Sequence, residues 1–443
     1  MPLALKISRL TFLQRARCAA ILSIVAITLP AQITQLGAET VLDSGAASSA
    51  SDTAPRAEIS GGDAVSAVPK RFQYAFRLNG RAVYDDNIYL RQFDKVDDYF
   101  LTVEPGVTIG FGDIVGHDMN SIRLDYAPSF FFYADHPQSN AIQQIIRLDG
   151  QYRLGHLSLG LSQDVQLLEG ANPSSTTFTT GTTPTLNIDT NGNTQVNIYS
   201  TTLTASYDLT GKTFLSGGLH FTAYDYYQSL ISSESIDGNL FINYIYSPKL
   251  TVGLGGTFGY NWVASTNPDQ TFEQVNLRLN YQATGKVSLD GSVGVEFRQF
   301  QDTANNQSDG TYVSPVYELG ATYQPFDGTT VSLHGSRRTQ NSAVFAGQDY
   351  STTDINLSVR QRFLQRIYLG ISAGYQHSDY FSTSQLVSAT RTDNYFYLQP
   401  TLDFTLTRFW TMGAYYLHRE DDSSANAFRF DDNQYGLRTS FTF

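Results

Sequence analysis

From Phe72 to the carboxy terminus, apolar and polar residues alternate along the chain with a period of two. In residues 274–281, QVNLRLNY, the valine, both leucines and the tyrosine fall on one face, and the polar residues fall on the other. The same spacing recurs at residues 122–126 and 287–298. Because successive side chains of a β-strand point to opposite faces, each segment predicts a strand with one apolar and one polar face.

The connections between these segments alternate between short and long. Short connections occur at residues 154–156, 210–212, 247–249, 284–286, 326–329, 364–366 and 406–408, and longer polar stretches at 169–195, 263–270, 301–310, 341–350, 378–393 and 420–430. A soluble β-sandwich also alternates along its strands, but it lacks this regular change of connection length. The pattern predicts an all-β fold, a transmembrane antiparallel up-and-down β-barrel of about 18 strands, with 16 as the alternative.

Such a barrel has short periplasmic turns and longer extracellular loops, and an even strand number places both termini in the periplasm. Inside a bilayer every backbone amide and carbonyl must be paired within the protein, so the sheet has to close. We therefore expect the first and last strands to be neighbours, in the outer membrane of a Gram-negative bacterium.

The amino terminus has the features of a secretory signal. Lys6, Arg9, Arg15 and Arg17 precede the apolar run at residues 18–31, which is too short to span a bilayer. The sequence predicts export across the inner membrane.

The signal and the start of the alternating pattern divide the chain into three predicted regions. Residues 1–38 are the predicted signal peptide, residues 39–71 a flexible periplasmic leader, and residues 72–443 the barrel. The leader is rich in Ala, Ser, Gly and Asp, and such a composition cannot bury enough apolar surface to fold alone.

Composition excludes several classes of function. The single cysteine, Cys18, lies in the signal peptide, so the mature chain has no disulfide, thiolate metal site or cysteine nucleophile. Removal of the signal leaves 25 basic against 41 acidic residues, which argues against a nucleic-acid partner. The seven histidines are scattered and no two of them have His-x-x-x-His spacing, so we expect no enzymatic activity.

Two similar hexapeptides lie near the ends of the predicted barrel, YDDNIY at residues 84–89 and FDDNQY at residues 430–435. If the first and last strands are neighbours, the hexapeptides meet at the seam. Carboxylate and amide oxygens are hard ligands suited to Ca²⁺, and the candidate ligands are Asp85, Asp86, Asn87, Asp431, Asp432 and Asn433. The alternative is that Asp and Asn simply end the strands, as these residues favour turns. No other cofactor is expected.

The carboxy terminus, YGLRTSFTF, places Tyr435, Leu437, Phe441 and Phe443 on one face and ends in an aromatic residue. This is typical of the signal that the β-barrel assembly machinery reads. The alternative interpretation is an ordinary last strand.

A barrel of about 18 strands is wide enough to hold an aqueous lumen. On the expected register the polar face carries eleven arginines and nine acidic residues, which include Arg77, Arg81, Glu104, Asp164, Asp354 and Asp403. The lumen-facing candidates are Arg123, Arg147, Arg153, Arg278, Arg298, Arg338, Arg360, Arg362, Arg438, Asp125, Asp149, Asp290, Glu296 and Glu318. Such a wall favours a porin-like channel for polar solutes. The same charges could also form salt bridges in a plugged structural or adhesive surface barrel.

The stretch VYDDNIYL followed by FLTVEPGVTIGF resembles the start of the putative β-barrel porin 2 family. The residues that carry the resemblance are Asp85, Asn87, Pro105 and Gly106. The resemblance implies an outer-membrane barrel of a family found with exopolysaccharide synthesis and export systems. It adds a second functional alternative, an exit channel that works with periplasmic polysaccharide-export proteins, and it implies no catalytic residues. The other expected partners are outer-membrane lipid and the β-barrel assembly machinery.

Overall fold

The computed structural model describes residues 72–112, 120–170, 187–190, 194–227, 230–264, 267–301, 310–385 and 387–443. The predicted signal peptide and leader lie outside the described residues. Within the described ranges, no helix is both long enough and apolar enough to cross a membrane.

The described residues form eighteen strands and two single-turn 3₁₀ helices, Pro137–Ser139 and Asn426–Phe428. The strands are β1 (Phe72–Asp85), β2 (Asp98–Phe111), β3 (Asn120–Tyr133), β4 (Ala141–Leu154), β5 (Leu157–Leu168), β6 (Val196–Asp208), β7 (Thr213–Tyr226), β8 (Ser233–Ser247), β9 (Leu250–Val263), β10 (Gln270–Thr284), β11 (Val287–Phe300), β12 (Thr311–Tyr323), β13 (Thr329–Asn341), β14 (Gln348–Phe363), β15 (Ile367–Ser382), β16 (Thr392–Thr407), β17 (Trp410–Ser423) and β18 (Phe430–Thr442).

Each strand pairs antiparallel with the next one along the chain, and β1 pairs with β18. The closing register runs from Arg77 opposite Thr442 to Asp85 opposite Gln434. Beyond it, Phe76 and Phe443 exchange two backbone hydrogen bonds of 3.1 and 2.8 Å. The sheet is therefore a closed barrel, which confirms the predicted fold with eighteen strands and excludes the alternative of sixteen.

The two ends of the barrel differ in their connections. At the end that we call the turn end, strands are joined by segments as short as residues 248–249 and 285–286. At the opposite end, the loop end, the connections include residues 86–97 and 169–195. The predicted alternation of short turns and longer loops is confirmed, except that residues 112–119 form a longer connection between β2 and β3 at the turn end.

The strands are longer than a bilayer requires. They contain 12 to 16 residues, whereas about 9–11 suffice to cross the hydrocarbon core. β15 continues to Ser382 and β17 to Ser423, so the stretches 378–393 and 420–430 are partly strand rather than loop. Polar residues continue the ladder there beyond the apolar band, where alternation no longer marks a strand.

The outer face is apolar, with Leu240 and Val275 about 60% exposed, and rows of aromatic residues lie near both ends. At the loop end, Tyr84 lies 4.8 Å from Tyr99 between ring centroids. At the turn end, Trp410 stacks on Phe441 at 5.5 Å. Aromatic rows on either side of an apolar band are the girdles of a transmembrane barrel.

Inward-facing rings lie flat against the wall because glycines stand opposite them. A Cβ atom on Gly374 would lie 2.2 Å from a ring carbon of Tyr397, and one on Gly436 would lie 2.1 Å from the ring of Tyr415. A ring over a cross-strand glycine covers exposed backbone. These rings therefore thicken the wall without projecting far into the lumen.

Candidate functional site: the barrel lumen

Ion pairs line the inner face of the wall. Arg123 and Asp125 of β3 approach to 2.5 Å, Arg147 of β4 and Asp164 of β5 to 2.7 Å, and Arg338 of β13 and Asp354 of β14 to 3.9 Å. Asp125 also faces Arg77 of β1 at 3.6 Å. Alternation along each strand places all of these side chains on the face opposite the apolar one.

In these pairs the arginine is more exposed than the carboxylate. The side chain of Arg123 is 39% exposed and that of Arg338 36%, against 11% for both Asp125 and Asp354. Arg77 and Arg147 follow the same order. In these pairs it is therefore the guanidinium group that faces the lumen, although each pair is neutral. The pair of Arg153 and Asp208, near the turn end, has the opposite order.

Two further lumen arginines rest on aromatic rings. The guanidinium carbon of Arg278 lies 3.3 Å above the ring of Phe241, and that of Arg360 lies 4.7 Å above Tyr368. Nη1 of Arg278 and Nε of Arg360 are buried and have no hydrogen-bond partner among the described residues. Stacking holds a guanidinium in place without neutralising it.

Other candidates belong to the wall. Arg298 binds Glu296 at 2.9 Å and Gln270 at 2.7 Å, and Arg438 binds Asp403 at 2.6 Å; these side chains are almost fully buried. These two pairs satisfy charges in the wall and leave little surface for a solute.

The remaining candidates vary in exposure. Asp149 is exposed and accepts a hydrogen bond from Ser162 at 2.8 Å. Asp290 is exposed, Glu318 is half-buried, and Arg362 is exposed at the turn end.

At the loop end, described residues of two connections pack inside the barrel. Ile88, from the β1–β2 connection, is fully buried against Phe100 and Phe131. Leu90, from the same connection, packs in one apolar cluster with Ile188 of the β5–β6 connection. These contacts narrow the lumen at this end.

Sequence reasoning missed the residues that hold the β5–β6 connection. Asp189 is buried and binds Ser342, Ala343, Tyr380 and Arg391. One signal was present: Asp189 is the only charged residue in the threonine-rich stretch 170–195.

The seam brings three of the six candidate calcium ligands together. One carboxylate oxygen from each of Asp85, Asp86 and Asp432 lies within 4.8 Å of the others. Asp432 also accepts a hydrogen bond from Arg419 at 2.8 Å. Oxygen donors of this kind fit Ca²⁺, and the seam cation stays a prediction.

The other three candidates have different partners. Asp431 forms an ion pair of 2.5 Å with Lys95. The amide oxygen of Asn87 accepts a backbone hydrogen bond within its own loop, and that of Asn433 accepts from Tyr416 at 2.7 Å. These three side chains therefore stabilise the ends of the strands.

The expected assembly signal lies on the outer face of β18. Tyr435, Leu437 and Phe443 are more than half exposed, and Phe441 packs on Trp410. All four side chains point away from the lumen by alternation.

The family model described as "Putative beta-barrel porin 2" matches residues 280–443, from the end of β10 to the carboxy terminus. The recognition made from the sequence is confirmed over these residues. The stretches that suggested it, near Asp85 and Pro105, lie outside the matched range. No curated protein matches the chain.

Similar solved structures include three outer-membrane channels. OpdK of Pseudomonas aeruginosa, solved with vanillate, has 12% identity and a TM-score of 0.40, over 84% of this chain and 98% of that one. OccAB3 of Acinetobacter baumannii has 12% identity and a TM-score of 0.43, over 84% and 99% of the two chains. OccK2 of Pseudomonas aeruginosa, solved with glucuronate, has 11% identity and a TM-score of 0.43, over 84% and 98%. At these values the likeness extends neither to individual residues nor to solutes.

The closed eighteen-stranded sheet and the family match over residues 280–443 together identify the protein as a porin-like barrel of the outer membrane, similar in its carboxy-terminal part to the putative beta-barrel porin 2 family.

Proposed function

We propose that the barrel is a channel for small polar solutes and that it passes anions in preference to cations. The observation that carries the proposal is the order of exposure in the lumen-facing ion pairs, where the arginine covers the carboxylate. At these pairs a passing solute meets the guanidinium group before the carboxylate, despite the acidic composition of the chain.

The chemistry of the guanidinium group sets the solute class. Its planar set of donors binds carboxylate or phosphate oxygens in pairs. The carboxylates beneath reduce the net attraction, so that an anion is bound weakly enough to leave, as conduction requires. Arg278 and Arg360, held on aromatic rings, extend this surface to other strands.

The proposal includes the orientation and the assembly route. The loop end faces the exterior and both termini lie in the periplasm, with lipid around the apolar face. Insertion by the β-barrel assembly machinery follows cleavage of the signal peptide. No observation favours the exit channel for exopolysaccharide. The packing of Ile88, Leu90 and Ile188 inside the loop end favours the plugged structural barrel as the second candidate.

The test is the reversal potential of the refolded chain in a planar bilayer under a potassium chloride gradient. We expect measurable current with chloride more permeant than potassium, since the arginine is the more exposed partner in the lumen-facing ion pairs. A folded barrel that passes no current would support the plugged structural barrel, and a preference for potassium would contradict the anion channel.

Arg338 and Arg337 provide a matched pair of variants. They are adjacent in β13, and alternation points Arg338 into the lumen and Arg337 to the outer face, where it donates to Thr353. Arg338→Gln should lower the preference for chloride, whereas Arg337→Gln should leave it unchanged. Equal effects of the two variants would show that the lumen charges do not set selectivity.

A further inference from the structure

Asp189 ties the β5–β6 connection to the opposite side of the barrel. Its partners belong to β15 and to the connections β13–β14 and β15–β16. Those elements lie about half-way around an eighteen-stranded ring from β5 and β6. The contact therefore crosses the lumen.

Both oxygens of the Asp189 carboxylate accept hydrogen bonds. Oδ1 accepts hydrogen bonds from the hydroxyls of Ser342 and Tyr380, both at 2.9 Å. Oδ2 accepts from the backbone N–H of Ala343 at 2.6 Å. Asp189 is 2% exposed, and hydrogen bonds to a buried carboxylate are among the stronger ones in proteins.

Arg391 clamps the backbone beside this carboxylate. It donates to the carbonyl oxygen of Ile188 at 3.0 Å, and it lies 3.7 Å from Oδ1 of Asp189. Asp393 fixes the other side of the guanidinium at 2.7 Å, and the ring of Phe428 lies 3.5 Å from its central carbon. Asp393 belongs to β16 and Phe428 to the β17–β18 connection. Arg391 is therefore held in place by residues outside the β5–β6 connection.

Ile188 completes the contact on the apolar side. It packs in a cluster with Leu90 of the β1–β2 connection and with Tyr395, Leu417 and Phe430 of the wall. Two connections and the wall therefore meet at one place inside the loop end.

We propose that residues 187–190 are a latch, fastened by Asp189, that forms the constriction of the channel and limits its conductance. Asp189 is a positioning residue, since it acts by holding residues 187–190 against the opposite side of the barrel. The inference rests on the proposed channel function and adds the element that limits the flow.

The experiment combines labelling and conductance in a chain carrying Cys18→Ser. Ile188→Cys places a thiol at a buried position of the latch, and its reaction with a water-soluble maleimide reports release of the connection. Single-channel conductance is measured on the same proteins without the added cysteine. Heat-modifiable migration on a gel verifies that each variant is a folded barrel.

Asp189→Ala should speed the labelling of the thiol at position 188 about tenfold or more, because several charge-assisted hydrogen bonds are lost, and it should raise the conductance. Arg391→Met should act in the same direction. The controls are Asp422→Ala and Arg429→Met, which break an exposed ion pair of 2.8 Å that does not contact Asp189; both should behave as the unmodified chain.

Unchanged labelling in Asp189→Ala would show that Asp189 does not hold the connection. Faster labelling with unchanged conductance would show that the connection is not the constriction. Either result overturns the inference. A third result is that the conductance of Asp189→Ala exceeds that of the unmodified protein while neither protein prefers chloride over potassium. That result would contradict the proposed anion preference and still support the latch.

Discussion

The same pairing of arginine with a carboxylate serves two purposes in this barrel, and burial decides which. Arg438 and Asp403 are almost fully buried and form two hydrogen bonds, of 2.8 and 2.6 Å. Arg123 and Arg338 remain accessible above their carboxylates. A buried pair stabilises the wall against uncompensated charge, whereas an exposed guanidinium is available to a solute.

At the residue scale, we predict that Arg438→Met destabilises the barrel by about 3–5 kcal/mol, because it leaves the buried carboxylate of Asp403 without its partner. Equilibrium unfolding by urea in detergent measures the loss. Adding Asp403→Leu to the variant should recover most of it. Arg153→Met is the control, since its pair with Asp208 is longer, at 3.7 Å, and partly exposed, and it should cost below about 1 kcal/mol. Similar losses in both single variants would contradict the distinction between wall and lumen pairs.

At the scale of the element, strands and connections differed in how far the sequence could predict them. Alternation is a local property, so each strand and each tight turn could be predicted from a few neighbouring residues. Asp189 meets Ser342, Tyr380 and Arg391, which lie 153, 191 and 202 positions further along the chain. No local pattern encodes such a contact. Because Asp189 is the only charged residue in the threonine-rich stretch 170–195, the sequence could single it out, but it could not predict its partners.

Acid should strengthen the latch. Burial raises the pKa of the Asp189 carboxyl, although the N–H of Ala343 and the guanidinium of Arg391 act in the opposite direction. In a released, solvated connection the pKa returns to its ordinary value near 4. The latched state therefore binds a proton more tightly, and the latch gains stability as the pH falls through the raised pKa towards about 4.

We therefore predict that conductance falls on acidification over this range and stays constant above it. Other charged and titratable groups near the carboxylate are Arg391, Asp393, Tyr380, Tyr226, Tyr350 and Asp349. Asp189→Asn removes the titrating group at this position alone. Conductance recorded from pH 8 to about pH 4 in both chains should show the acid response only with Asp189 present. The same response in Asp189→Asn would assign it to another carboxylate.

At the scale of the whole molecule, closure joins the two ends of the chain. Counting segments predicted the strand number, and the closed sheet then placed the two hexapeptides side by side, with Tyr84 opposite Tyr435. Alternation also indicated which face each charged residue occupies. It could not predict that Arg298 is buried and Arg338 exposed, because exposure depends on what the neighbouring strands and inward loops place above each side chain.

The last residue illustrates how backbone and side chain divide their roles at the seam. Phe443 exchanges two backbone hydrogen bonds with Phe76, while its ring is 69% exposed on the outer face. Closure needs the backbone, and the ring is free to serve recognition during assembly. Phe443→Ser keeps the backbone pairs, so we predict that it refolds in detergent with a melting temperature close to that of the unmodified chain.

In cells, the same variant should assemble less efficiently, because the terminal aromatic of the expected assembly signal is lost. The measurement is the ratio of folded to unfolded chain in outer-membrane fractions, read from heat-modifiable migration on gels. Phe409→Ser is the matched control, since its ring lies beside that of Phe443 at 6.2 Å on the neighbouring turn but is not part of the terminal strand. If both variants assemble equally well, the terminal ring is only part of the aromatic girdle. If Phe443→Ser fails to refold in detergent as well, the ring is needed for closure itself, and the separation of the two roles is wrong.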